Sequence, residues 1–370
     1  ALFLFVFCAS GFGQEVSSTG GLTDEQRINI TLEALSRLQH VDLEKNPALK
    51  TAVDKILTKT RGMPQFVMVV KQLQLQNQNE GLLEVAKNFP ANESGVEAMR
   101  MILANNGSDL LEKSLRGSDS VKIAEALGNT GSKDALPILL PILTDATRDL
   151  SLRKQAVLSA AQTPEGARKL LDLAKEEKLP QDLKLTASAE LNKVRWEKTK
   201  EEAAKILPLP QSHGATPLPG VAELLKMKGD LAKGEQVFFR QESACGSCHL
   251  IKEKGMEIGP TLTEIGSKLG KEALLESILD PSGGISFGFE ANQVELKSGD
   301  EAYGLVVSET GDELVMKDLK GIVARYKKTE VAKRQQLKTS IMPAGLQQTM
   351  SAQELVDLVE FLSSLRKPAQ

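Results

Sequence analysis

The sequence predicts a mainly α-helical protein built in two parts, with a small antiparallel sheet inserted into the second. Three observations predict it. From Leu22 to about Leu207 apolar residues recur at helical spacing with only short breaks. A Pro-rich stretch, Leu207-Pro208-Leu209-Pro210 through Pro217-Leu218-Pro219-Gly220, then ends that pattern, because proline cannot continue a helix and favours extended chain. Between Gly284 and Leu337 the pattern switches to alternating segments separated by Gly-Asp turns, which is the signature of strands. With 370 residues, 41% of them hydrophobic and 26% charged, the chain can bury a large core in two to three domains. A net charge of -3 gives no basic footprint, so nucleic acid is excluded as a partner class.

Taken in order, Ala1 to Ser10 is a short apolar run followed by small residues. It resembles the hydrophobic core and cleavage zone of a secretory signal, so residues 1–13 are expected to be a signal remnant and the protein exported, periplasmic or cell-envelope associated. A buried strand is the alternative. If cleavage falls near Gly13, only Cys245 and Cys248 of the three cysteines remain, which suits an oxidising compartment. No stretch approaches the roughly 18 to 20 apolar residues of a membrane span.

In the helical part, Ser120 to Leu143, Leu150 to Lys175 and Gln181 to Leu207 each read as a helix pair. Leu127, Ala160 and Leu191 recur at corresponding places. A repeat of this length suggests a HEAT-like α-solenoid over residues 22–207, whose units bury their apolar faces only by stacking. Leu127-Gly128-Asn129-Thr130-Gly131 reads as the turn inside one pair, with glycine supplying positive φ. Such a stack is either a docking surface or a spacer. His213, in the linker 208–220, reads as a solvated side chain rather than a ligand.

The most specific stretch is Cys245-Gly246-Ser247-Cys248-His249. A C-x-x-C-H run is the attachment signature of a c-type haem: two thiols can each form a thioether to a vinyl group while the adjacent imidazole reaches the iron. A structural zinc site needs about four Cys or His ligands, and the chain offers only Cys8, His40 and His213 besides these. A thioredoxin-like pair needs a preceding strand, whereas Asp230 to Phe239 reads as a helix. A chance occurrence or a structural disulfide remains open.

The segment from Gly229 to Phe239 carries an apolar face through Leu231, Val237 and Phe238. Gly234 in its middle is explained if another helix crosses closely there. Ser351 with Glu354 is a capping-box pair, and Leu355, Leu358, Val359, Leu362 and Leu365 follow as one helical stripe, with Phe361 beside it. Residues 229–283 and 339–367 therefore resemble a class I cytochrome c. The whole of 221–367 resembles a haem-binding domain family found downstream of sugar-dehydrogenase-type propellers and HEAT-like helices. The carrying residues are Gly234-Glu235 with Phe238, the C-x-x-C-H, Gly259-Pro260-Thr261-Leu262 with Ile265-Gly266, Leu274 through Ser282, and Ser340-Ile341-Met342-Pro343.

The resemblance implies that Cys245 and Cys248 are thioether anchors, that His249 is the proximal ligand of a single covalent haem c, and that the Pro260 carbonyl fixes the His249 ring. It implies a distal methionine, Met342 at the family's Met-Pro position in preference to Met256. The expected fold class is then mainly α: a HEAT-like solenoid followed by an α-helical cytochrome c domain with a β insertion at about 284–337. Its expected segments are Gln293 to Lys297, Glu301 to Val307, Glu313 to Lys317 and Ile322 to Lys327. The basic tract Arg325, Lys327, Lys328, Lys333 and Arg334 reads as a solvated face. The leading functional expectation is a one-electron carrier, not an enzyme, serving a dehydrogenase or another cytochrome. A haem-containing dehydrogenase subunit or peroxidase, and a haem-containing scaffold or sensor, are the alternatives.

Overall fold

A computed structural model describes residues 43–208, 218–241 and 243–367, and over these the chain is mainly helical with one five-stranded antiparallel sheet. The expected signal segment, the start of the helical part at 22–42, Cys8, His40 and His213 lie outside the described residues. Among the described residues no helix is long and apolar enough to cross a membrane.

Eleven helices fill residues 47–206: α1 Pro47–Thr60, α2 Pro64–Gln72, α3 Asn79–Asn88, α4 Glu93–Ala104, α5 Ser108–Ser114, α6 Ser120–Asn129, α7 Leu136–Thr144, α8 Leu150–Ala160, α9 Pro164–Lys175, α10 Lys184–Leu191 and α11 Glu197–Ile206. Their starts are written locally. Asn46, Asn92, Asp149 and Thr163 each accept a hydrogen bond from a first-turn amide, satisfying donors that the helix itself leaves free. The three helix pairs expected from the sequence are α6/α7, α8/α9 and α10/α11. Helix α6 packs on α8 and α8 on α10, and the recurring Leu127, Ala160 and Leu191 are all fully buried at 0% exposure. One apolar cluster runs continuously from Phe66 to Leu207. Of the two turn glycines, only Gly131 takes a positive φ, +64°. Gly128 stays helical, and the close packing of α8 is what calls for glycine there: a Cβ would sit 2.4 Å from Ser159 Oγ and 2.6 Å from its Cα.

A second apolar cluster gathers Leu224, Val237, Phe238, Ile251, Leu274, Leu275, Ile278 and the buried face of the last helix. It is built by α12 Val221–Leu224, α13 Leu231–Phe239, α14 Lys271–Leu279 and α15 Ala352–Ser364. Asp230 caps α13 through the amides of Ala232 and Lys233, and Ser351 and Glu354 close the capping box of α15. The two helices cross at Gly234, where a Cβ would lie 2.0 Å from the Asp357 carbonyl oxygen. Buried Asp357 seals the crossing by accepting from the Asp230 amide at 2.8 Å and the Gln353 side chain at 2.8 Å.

The sheet comprises β1 Glu290–Leu296, β2 Glu301–Glu309, β3 Glu313–Lys317, β4 Val323–Lys327 and β5 Val331–Ser340, in the order β4-β3-β2-β1-β5. The sequence reading found the first four strands and stopped the insertion at 337. The fifth strand corrects it: most of β5 is exposed, so it carries no alternating apolar signal, and it forms because its backbone completes the ladder of β1. The basic tract is likewise divided. Arg325 sits on β4 and Lys333 and Arg334 on β5, the two opposite edges. Arg325 pairs with Glu93 and Glu313, and Arg334 with Glu309.

Candidate functional site

Between α13 and α14 the chain folds into a tight loop with no long element. Ala244 takes a left-handed φ of +55° and starts a 3₁₀ turn, Cys245–Ser247. The amides of Cys248 and His249 both donate to the Cys245 carbonyl, at 3.1 and 3.0 Å, so both thiols and the imidazole are presented from one turn. The following segment doubles back: the amides of Ile258 and Gly259 donate to the Cys248 carbonyl at 3.0 and 2.8 Å, and that of Leu262 to the Leu250 carbonyl at 2.8 Å. Pro260 thereby arrives beside His249.

His249 Nδ1 lies 2.8 Å from the Pro260 carbonyl oxygen. A carbonyl can only accept, so Nδ1 carries the proton and Nε2 is left with its lone pair. Gly259 makes room for this. A Cβ there would meet the ring at 2.7 Å from Cε1 and 3.0 Å from Nδ1. Burial lowers the His249 pKa, with the Pro260 hydrogen bond opposing it, so the imidazole is neutral at neutral pH, the state in which it binds a metal. Both cysteines are free thiols, and burial raises the pKa of each. That is the opposite of the depressed pKa that a nucleophilic or redox-exchanging thiol needs. Among the described residues no three His, Cys, Asp or Glu side chains gather into a metal-holding group, so the two thiols and His249 do not converge as zinc ligands would.

The two methionines differ in surroundings. Met342 is half-buried and packs against the same apolar cluster as Cys245, Leu262 and Ile265. Met256 is 44% exposed and its Cε lies against Gly321 in the β3–β4 turn, on the sheet side of the loop. The segment bearing Met342 is held at both ends. Ser340 Oγ accepts from the Met342 amide at 3.1 Å, and Arg240 at the end of α13 donates to the Thr349 carbonyl at 2.8 Å while pairing with Glu354. Arg240 holds the Glu354 carboxyl below the usual carboxylate range. Arg240 and Asp357 were not singled out in the sequence. The capping box marks Glu354, but no local pattern marks a partner 114 residues away.

Comparison with known protein families finds no match for this chain, and comparison with curated proteins finds none either. The site therefore has to be read from its own chemistry.

A covalently held haem fits these residues. Gly259 leaves room for the His249 ring, which is locked with Nε2 free, two thiols outside any disulfide sit on the preceding turn, and a thioether side chain packs against the same apolar cluster as Cys245.

Proposed function

We propose that this chain is a c-type cytochrome, an electron-transfer protein that carries one covalent haem c behind a HEAT-like helical scaffold. The observation that carries the reading is the His249–Pro260 bond next to two free thiols in a C-x-x-C-H turn. Cys245 and Cys248 would hold the haem, each thiol able to add its S–H across one vinyl group with the hydrogen going to the other vinyl carbon, an addition that needs no oxidant or reductant. His249 would offer Nε2 to the iron, while the Pro260 carbonyl holds the ring in that tautomer and raises its basicity. Met342 would supply the second ligand, from a segment held by the Ser340 hydroxyl and the Arg240 clamp. Haem, when bound, would supply a one-electron ferric/ferrous couple.

The role that follows is a carrier between a donor such as a dehydrogenase and an acceptor such as another cytochrome, in an exported setting. Consecutive stacking of α6, α8 and α10, with Leu127, Ala160 and Leu191 buried alike, supports the HEAT-like reading of the helical part.

Expression with a cytochrome c maturation system, followed by a pyridine haemochrome assay and a redox titration, tests the proposal. One covalent haem per chain is the expected result, and none would overturn it. Met342→Ala should abolish the near-red sulfur-to-iron absorption and lower the midpoint potential, while Met256→Ala should leave both unchanged. An unchanged spectrum in Met342→Ala would favour the peroxidase or dehydrogenase-subunit reading, in which Met342 does not bind iron.

A further inference from the structure

The chain has a single tryptophan and two tyrosines, and all three line one cavity. Trp196 comes from the loop before α11, Tyr303 from β2 and Tyr326 from β4, and they line a half-open cavity of about 240 Å³ at the junction between the helical part and the sheet. None of the haem-site residues lines it. The volume exceeds the roughly 150 Å³ that suffices to hold a benzene ring.

Four cations share the lining with the aromatics: Arg100, Lys193, Arg195 and Lys320. The Arg195 guanidinium stands over the Trp196 ring at 4.5 Å and the Tyr303 ring at 4.8 Å. Its Nη2 donates to Glu301 at 2.7 Å, and its Nε–H is buried with no hydrogen-bond partner. Arg100 donates to the Thr130 carbonyl at 2.9 Å and the Tyr326 hydroxyl at 3.2 Å. Lys320 is exposed over much of its surface, yet its Nζ ends on Oδ1 of buried Asn129 at 2.7 Å.

The charges of the lining do not cancel. Arg195 is paired with Glu301, and Lys193 with Glu190. Within the lining that leaves Arg100 and Lys320, both bonded to neutral acceptors, against Asp318, an excess of one positive charge, while Glu125 outside the lining also acts on Lys320. Burial pushes the Asp318 carboxyl up and the Arg195 guanidinium down, as expected where little water screens the charges.

We propose that this junction cavity is a binding site for a small organic monoanion with a flat apolar body, such as an aromatic carboxylate. The carboxylate would answer the free Arg195 Nε–H and the Arg100 and Lys320 cations, and the ring would lie among Trp196, Tyr303 and Tyr326. Small-molecule sites commonly combine this kind of apolar wall with a few convergent polar groups at a junction between structural units.

Trp196 is a built-in reporter. Titrating the full-length protein with benzoate should change its emission saturably, with one site per chain by calorimetry and a dissociation constant in the millimolar range or tighter. Benzamide, the neutral isostere, should bind at least about tenfold more weakly, and Lys320→Gln should weaken benzoate by about the same factor. Lys113→Gln, an exposed cation outside the cavity, should leave binding unchanged. Absence of saturation into the tens of millimolar, benzamide binding as tightly as benzoate, or an unaltered affinity in folded Lys320→Gln would each overturn the proposal. The benzoate and benzamide comparison needs no variant to fold.

Discussion

Replacing Gly234 with alanine tests the crossing that closes the candidate site. The added methyl would lie 2.0 Å from the Asp357 carbonyl oxygen, 2.6 Å from its carbon and 2.8 Å from Phe361 Cβ. Two of these atoms are helix backbone, so no side-chain rotation relieves the clash. To bring the first contact out to 3.0 Å, α13 and α15 must part by at least 1 Å, stretching the Asp230–Asp357 bond and the Phe238–Phe361 pair that flank it. Overpacking of this kind costs about 1–3 kcal/mol. The alanine recovers about 0.5–1 kcal/mol of helix propensity, leaving a net loss centred on about 1 kcal/mol and at most about 2.5, or roughly fivefold to tenfold at the centre in the local opening equilibrium. Peptide-resolved amide hydrogen exchange is the assay. Residues 352–364 should exchange faster by that factor in Gly234→Ala, while the unfolding midpoint followed by Trp196 emission, which reports the helical part, should not move. Equal or slower exchange over 352–364 would refute the close-crossing argument.

Other outcomes follow from the same contacts. Gly259→Ala places a methyl 2.7 Å from His249 Cε1, so it should displace the ring from Pro260. After maturation it should give less covalent haem and a shifted Soret maximum, read by absorbance against the wild type. Glu309 is held down from 4.5 to about 2 by hydrogen bonds from Lys328 and Arg334. A carboxylate depressed on folding contributes stability above its unfolded pKa and loses it as pH falls through the folded one. Glu309→Gln should therefore destabilise the sheet above about pH 4.5, and the difference from wild type should vanish as pH approaches 2, measured by denaturant melts across that window.

Much of the local architecture was legible. Ser351 with Glu354 marked the start of α15, and a glycine amid an apolar helical face marked the close crossing. The spacing of Leu127, Ala160 and Leu191 marked three equivalent buried positions. Each of these signals is local: a cap, a stripe or a period. What could not be read depends on partners distant in the chain. The strand β5 reads as a polar tract because nothing packs on most of its side chains, and its order comes from main-chain bonds to β1. Arg240 and Asp357 acquire their roles only when α13 and α15 meet. The junction cavity draws Arg100 and Tyr326 together across 226 residues, which no periodicity records.

The sheet's placement explains how so long an excursion leaves the candidate site intact. Its two ends close on each other, since Glu290 opposes Ser340 in the ladder and Ser282 Oγ accepts from the Ser340 amide at 3.1 Å. The chain thus leaves after α14 and returns beside its point of departure, two residues before Met342. Its far side is pinned to the helical part by polar contacts: Asp300 accepts from the Lys133 amide at 3.0 Å, Arg195 pairs with Glu301 and Arg325 with Glu93. Its near side touches the C-x-x-C-H loop, where Lys317 donates to the Glu257 carbonyl at 3.0 Å and Met256 packs on Gly321. The β3–β4 turn therefore contacts both the loop that carries His249 and the wall of the junction cavity. Among the described residues the inserted sheet thus couples the two halves, and it does so through charged and main-chain groups, as interfaces between domains commonly do.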